Sequence, residues 1–313
     1  MERRKLGSSD LEVSVLGLGC NNFGMKLDLA ASRAVIDAAL DAGVDFLDTA
    51  DLYGGCKSEE FIGEALAGRR GRVVLATKFG GLAYAQGAKE PWGTRAYVVR
   101  CVEDSLRRLR TDRIDLYQMH YPDARTPIEE TLAALDELVR GGKVRWIGCS
   151  NFSGEQVEAA AAGVRAGATR IVSAQNEWSL LQREAEAGVV PACLRHGIGM
   201  LPYFPLASGV LTGKYRRGQG FGEGTRLATM DYFKHFGSDA NLARAEALEA
   251  FASGRGRSLL ELAIGWLASQ ACVASVIAGA TTPEQVRANA AACGWRLGAE
   301  ELAGVERVLS GQA

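Results

Sequence analysis

Within DFLDTADLYG (residues 45–54) a short apolar run opens into two carboxylates, Asp48 and Asp51, and a tyrosine, Tyr53. Further along, VVLATKF brings Lys78, and IDLYQMH brings His120, to the ends of two more apolar runs. Asp, Tyr, Lys and His form a proton-transfer device when they meet. A free tyrosine has a pKa of about 10, too high to exchange protons readily near neutrality. A neighbouring ammonium stabilises the phenolate and is expected to lower that value. A carboxylate paired with the lysine keeps it charged and aimed, and a neutral imidazole can orient a substrate oxygen. The set suits placing a proton on an oxygen where charge develops. A single Lys or His at a strand end is more often a rim or core residue; all four at the ends of successive strands shift the odds strongly toward function.

The elements that must position them follow from the alternation of short apolar runs with amphipathic stretches. Strands are expected at 13–19, 45–50, 73–79, 114–120, 144–150, 171–177, 199–205 and 273–280. Helices are expected at 29–42, 58–66, 95–110, 127–140, 154–166, 189–195, 240–253 with 259–268, and 282–292. Strands alternating with helices imply parallel strands joined by crossover helices. Continuous apolar strands imply burial of both faces. Eight units predict an α/β fold, a (β/α)8 TIM barrel, with residues 1–313 as one domain. The stretch GLGCNNFG after the first strand does not fit the G-x-G-x-x-G of an open dinucleotide-binding sheet. RKLGSSDLEVS (4–14) reads as an N-terminal β-hairpin at the bottom of the barrel. Two glycine-rich connections, 79–93 and 213–237, are long loops after strands, which puts them on the C-terminal face where barrel active sites lie. Ser150-Asn151 and Gln175-Asn176 end strands on that face.

Composition excludes other classes. Lys+Arg is 36 against Asp+Glu 37, so no basic field recruits nucleic acid. Hydrophobic content of 47 % and charged content of 23 % are those of an ordinary globular protein. No apolar run reaches the roughly 18–20 residues that span a bilayer, and the N-terminal stretch has no signal-peptide pattern. Seven scattered cysteines without a C-x-x-C pair fit a reducing cytoplasm better than a disulfide framework or zinc site. No His/Cys/Asp spacing points to a metal. His196 is read as a helix-end residue and His235 as a loop residue.

DTADLYG, ATKFG, IDLYQMH, IGCSNF, QNEWSLLQR, PYFPLASGVLTGKY and GATTPEQVRAN occur in the order seen in aldo-keto reductases. The chain resembles that family from Arg4 to about Leu309. The resemblance implies that Asp48, Tyr53, Lys78 and His120 are the catalytic tetrad. Tyr53 would be the general acid in carbonyl reduction and the base in the reverse reaction, Lys78 with Asp48 would tune it, and His120 would orient the carbonyl. Asp51 has no such role in the family and is read as structuring its loop.

The resemblance also implies a bound NADPH, with NADH open. Ser150, Asn151 and Gln175 would hold the nicotinamide amide, Tyr203 would stack on the ring, and Gly19, Asn21 and Asp48 would line that end. Pro205, Leu206, Ser208, Gly209, Leu211 and Lys214 would surround the pyrophosphate. Arg226 would reach over the adenosine end, and Gly279, Thr281, Gln285 and Asn289 would meet the adenosine phosphate at a helix N-terminus. The chain departs from the family pattern at Ala288, where many members have Glu, and at Thr281. GATTPEQ itself carries no Lys or Arg, which leaves Arg226, with Arg287, to read a 2′-phosphate. Trp178 stands where Tyr or Phe is more common. Asn21, Asn22, Phe23, Tyr84 and Trp92 are either substrate wall or packing residues.

Two functions follow. One is an NAD(P)H-dependent oxidoreductase reducing a small-molecule aldehyde or ketone. The other is a cofactor-binding regulatory subunit resembling potassium-channel β subunits. A hydrolase on the same barrel would need paired carboxylates or metal ligands in the bowl, and none is convincing. The substrate and oligomeric state are not legible, because loops rather than the fold choose the substrate.

Overall fold

The computed structural model describes residues 1–311. A hairpin of β1 (Arg3–Lys5) and β2 (Glu12–Ser14) precedes eight parallel strands. These are β3 (Leu16–Gly19), β4 (Phe46–Asp48), β5 (Val74–Phe79), β6 (Ile114–Met119), β7 (Val144–Ser150), β8 (Ile171–Gln175), β9 (Gly199–Met200) and β10 (Val276–Gly279). They pair in chain order, and β10 returns to pair with β3. Isolated parallel bridges, Met200 to Val273 and Tyr203 to Ile277, join β9 to the β10 side and close the ring.

Helices flank the strands: α1 (Leu29–Asp41), α2 (Lys57–Ala65), α3 (Gly81–Ala85), α4 (Arg95–Leu109), α5 (Ile128–Arg140), α6 (Gly154–Ala162), α7 (Val189–His196), α8 (Arg226–Thr229), α9 (Asp239–Ser253), α10 (Leu259–Ala268), α11 (Pro283–Ala292) and α12 (Ala299–Ser310). Their starts are chemically marked. Ser153 with Gln156 and Ser258 with Glu261 form capping boxes on α6 and α10. Thr282 caps α11, with Pro283 in its first turn.

The barrel lumen is a core of its own. Phe46, Ala76, Leu116, Val172, Leu201, Ala274 and Ile277 point inward, and Leu6, Leu11 and Val13 of the hairpin plug them from below. Gly7 lets the hairpin turn sit tight: it has φ 57°, and a Cβ there would meet Val172 O at 2.4 Å. Two residues further along, the same inward face turns polar: Phe46 gives way to Asp48, Ala76 to Lys78, and Leu116 to Gln118 and then His120. This is the strand's two-residue period, read along the inside of a barrel.

Several sequence expectations need correction. The run 13–19 is two strands, because the hairpin pairs 12–14 and the chain bends at Val15 before β3 joins the barrel. The strand at 199–205 shortens to Gly199–Met200, since Pro202 has no N–H for the ladder. The connection 79–93 holds α3, and 213–237 holds α8 and a 3₁₀ stretch, Asp231–Gly237. α12 was not among the expected helices.

Candidate active site

The polar inner face converges on Asp48. Its Oδ2 accepts from Lys78 Nζ at 2.7 Å, and its Oδ1 accepts from Gln175 Nε2 at 2.9 Å and Gln118 Nε2 at 3.3 Å. Lys78 Nζ also donates to Thr49 O at 2.8 Å and lies 3.4 Å from Tyr53 Oη. Lys78 is fully buried, so this charge is held by partners rather than by water. Gly148 leaves room for the layer, since a Cβ there would stand 2.1 Å from Ser173 Oγ.

The expectation that Lys78 lowers the Tyr53 pKa is not met in this state. Burial, then the charge of Asp48, push the Tyr53 phenol well above its ordinary value. The ammonium is already committed to Asp48 and Thr49, so its field at the phenol is largely offset. The phenol therefore keeps its proton over the ordinary pH range.

His120 meets the Tyr53 ring edge-on, with centroids 5.8 Å apart, and stacks on Tyr121 at 4.7 Å. Burial, then the Lys78 charge, hold its pKa well below the ordinary value, so the ring is neutral. Its Nδ1 is buried without a partner and faces Gly81, which leaves Nε2 toward the cleft.

Above these residues a cleft of about 740 Å³ runs across the C-terminal face. Gly19, Asn21, Asp48, Ser150, Asn151, Gln175, Tyr203, Pro205, Leu206, Ser208, Gly209, Lys214, Arg226, Gly279, Thr281, Gln285 and Asn289 all line it. Leu211 does not; it is fully buried in the core behind the wall. Asn151, held at φ 60°, donates to His120 O at 2.9 Å and accepts from Tyr203 Oη at 2.7 Å. Arg226 Nη2 donates to Asn22 Oδ1 at 2.8 Å, with its guanidinium over Phe233, and so straps the 213–237 segment to the connection after β3. Thr281 N donates to Gln285 Oε1 at 2.8 Å at the start of α11.

Lys26 was missed by sequence reasoning, and no local spacing marks it. It lines the cleft with Lys214 and Arg226, whose charges help to lower its pKa after burial does so. Tyr121 and Tyr232 also line the cleft unannounced. Tyr84 stacks on Tyr121 at 4.0 Å and is half exposed at the mouth. Phe23 and Trp178 are core residues, Trp178 donating to Glu186 at 2.9 Å. Trp92 props the mouth by donating to Tyr121 O at 2.9 Å. His196 bonds Glu158 and ties α7 to α6. Among the described residues no cluster of three or more His, Cys, Asp or Glu could hold a metal. A second hollow, of about 610 Å³, lies at the opposite end of the barrel beside Arg4, Cys272 and Arg296.

A closed (β/α)8 barrel with buried Asp48, Lys78 and His120 beside a half-buried Tyr53, under a long cleft, defines a class, and the comparisons name it. The model of the Aldo/keto reductase family matches residues 15–310, so the chain belongs to that family of oxidoreductases. Among curated relatives, a "Probable voltage-gated potassium channel subunit beta" of Oryza sativa subsp. japonica is 37 % identical over 92 % of this chain and 90 % of its own length. "Aldo-keto reductase YhdN" of Bacillus subtilis (strain 168) is 36 % identical over 99 % of this chain and 94 % of its own. Among solved structures, the "aldo-keto reductase AKR11C1 from Bacillus halodurans (holo form)" superposes with a TM-score of 0.81 at 35 % identity, covering 98 % of this chain and 96 % of that one. The "glycerol dehydrogenase AKR11B4 from Gluconobacter oxydans" gives a TM-score of 0.84 at 31 % identity, covering 99 % and 96 %. No helix among the described residues is long and apolar enough to cross a membrane.

Proposed function

We propose that this protein, read as one barrel domain of the reducing cytoplasm, is an NAD(P)H-dependent carbonyl reductase with Tyr53 as its proton donor. The observation that carries the proposal is the position of Tyr53 Oη, 3.4 Å from the Lys78 ammonium that Asp48 holds.

The cleft fits a nicotinamide dinucleotide. Lys26, Lys214 and Arg226 form none of the protein's ion pairs among the described residues, which suits a diphosphate. Ser208 Oγ is buried without a partner in a loop whose Ser208 and Gly209 are both left-handed. Asn151 and Gln175 offer both donors and acceptors to a carboxamide. Arg226 lines the same cleft, and the reading that it meets a 2′-phosphate supports NADPH over NADH.

When bound, the cofactor supplies a hydride to the carbonyl carbon. Tyr53 gives its phenolic proton to the carbonyl oxygen as negative charge gathers there. The resulting phenolate lies beside Lys78, whose charge offsets it until a proton returns from solvent. Asp48 keeps Lys78 in place, and Gln118 and Gln175 keep Asp48 in place. His120 Nε2 orients the carbonyl oxygen over Tyr53. Stacked Tyr121 and Tyr84 give the mouth an apolar wall.

A second reading, a cofactor-binding regulatory subunit, is favoured by the two plant relatives, named as probable voltage-gated potassium channel β subunits, at 37 % and 36 % identity. Initial rates of NADPH and NADH oxidation over a panel of aldehydes, ketones and sugars separate the two, with Tyr53→Phe as control. Turnover lost in the variant supports the reductase. Tight cofactor binding without turnover supports the regulatory reading.

A further inference from the structure

We propose that Asp51 is a positioning residue that selects which ring nitrogen of His120 carries the proton; this rests on the reading of His120 as the group that orients the carbonyl.

Asp51 lies three residues past β4 and is almost fully buried. Its Oδ1 accepts from Leu82 N at 3.3 Å, at the start of α3. Its Oδ2 is buried without a partner. The arginine of this region is already taken: Arg108 Nε donates at 2.6 Å to Glu59, which also accepts from Thr77 Oγ1 at 2.6 Å. Two buried carboxylates thus face one guanidinium, and Asp51 is the one left without a cation. A buried anion without a partner neutralises by binding a proton. Burial, then the charge of Glu59, push the Asp51 carboxyl up to about 7.

His120 Nδ1 is also buried without a partner, and Gly81 stands against both it and Oδ1, the Asp51 oxygen that accepts from Leu82 N. A Cβ on Gly81 would meet His120 Nδ1 at 2.4 Å and Asp51 Oδ1 at 2.9 Å. Both groups therefore border the same small notch, and no side chain of residue 81 separates them. Other titratable groups surround the pair. Tyr53, Cys56, Tyr97, Cys101 and Tyr117 sense the Asp51 charge, and Tyr117 Oη is itself buried without a partner. Lys78 and Tyr53 flank the imidazole, with Tyr121 on its face.

A neutral imidazole carries one N–H, and the partner of one nitrogen decides the role of the other. Asp51 and His120 make no direct hydrogen bond; when Asp51 is a carboxylic acid it donates to Nδ1 through one bridging water. The ring proton then sits on Nε2, which can donate to a carbonyl oxygen. When Asp51 is a carboxylate it accepts from Nδ1–H through the same water. Nε2 is then a bare acceptor, suited to an alcohol hydroxyl and not to a carbonyl. The pair thus favours reduction below the Asp51 titration and alcohol oxidation above it.

The test is long-range proton–nitrogen NMR of the full chain labelled with ¹⁵N-histidine and loaded with NADP⁺, from about pH 5.5 to about pH 8.5. The sequence has 3 histidines, so His196→Gln and His235→Gln assign the spectrum. The proposal expects Nε2–H at the acid end crossing to Nδ1–H near neutrality, and no crossover in Asp51→Asn, whose amide does not titrate. A tautomer constant over the range in the wild type, an imidazolium at any point of it, or an unchanged crossover in Asp51→Asn would overturn it. If Asp51→Asn does not fold, the wild-type titration still decides. The readout needs no turnover, so an inactive protein with the crossover would refute the reductase reading and leave this one standing.

Discussion

Lys78 Nζ sits 2.7 Å from Asp48 Oδ2, with side-chain exposures of 0 % and 3 %. The pair is sealed in the lumen above an apolar plug, so each charge depends on the other. Lys78→Met leaves Asp48 buried and unpaired, a change that typically costs about 3–5 kcal/mol. The midpoint of thermal unfolding should fall by on the order of 10 °C, read by calorimetry of the cofactor-free protein. Asp48→Asn should fall about as far, because it strands the ammonium instead. A loss of under about 1 kcal/mol in both would mean that water reaches the pair.

Tyr53→Phe removes one oxygen and keeps the ring edge against His120. Reduction should fall by roughly 10²- to 10⁴-fold, the usual range for a lost general acid. NADPH affinity, measured by fluorescence titration, should stay within about twofold, a change of under about 0.5 kcal/mol. Retained activity would remove Tyr53 from the mechanism.

Arg226→Ala takes away a guanidinium that Asn22 now holds over the cleft. NADPH binding should weaken by roughly tenfold or more, or about 1.4 kcal/mol, and NADH binding by clearly less. Isothermal titration with both cofactors checks this. Equal losses would assign Arg226 to the strap alone.

Gly81→Ala places a methyl group 2.4 Å from both His120 Nδ1 and Leu52 Cδ2. Something must shift, at a cost of about 1–3 kcal/mol of overpacking. Because the imidazole is one of the groups that must give, kcat should fall more steeply than stability. Parallel kinetics and thermal melts separate the two, and an unchanged kcat would mean that Leu52 alone yields.

The pH dependence of stability has a defined sign at Asp51. Its carboxyl titrates near 7 in the fold against 3.8 in the unfolded chain. Between those values the native state keeps a proton that the unfolded state has released. Stability from this group therefore falls as pH rises from about 4 to about 7 and stays low above. Asp51→Asn removes the slope, so the variant's melting temperature relative to wild type should rise by a few degrees between about pH 5 and about pH 8. A constant difference would show that Asp51 is ionised in both states.

By itself the sequence determined which residues share the inside of the barrel. Asp48, Lys78 and His120 end apolar runs, and the two-residue period of a strand is a local property that places each with its inward neighbours. The motif order carried Tyr53 and a set of cofactor residues that, Leu211 excepted, all line the cleft, but it did not carry Tyr121 or Tyr232. Breaks inside apolar runs were not legible, because Val13 to Gly19 reads as one strand until the hairpin claims its first half. Lys26 was not legible either, since its place beside Lys214 and Arg226 is made by segments about 190–200 residues apart. The tertiary structure alone decided the electrostatics. Burial and the Asp48 charge raise the Tyr53 phenol that the lysine was expected to lower. The commitment of Arg108 to Glu59 leaves Asp51 without a cation, and Gly81 adds no side chain of its own to the notch that Asp51, His120 and Leu52 border. Residue type sets what a group can do, but its pKa depends on the desolvation and charges around it, and folding assembles those from distant parts of the chain.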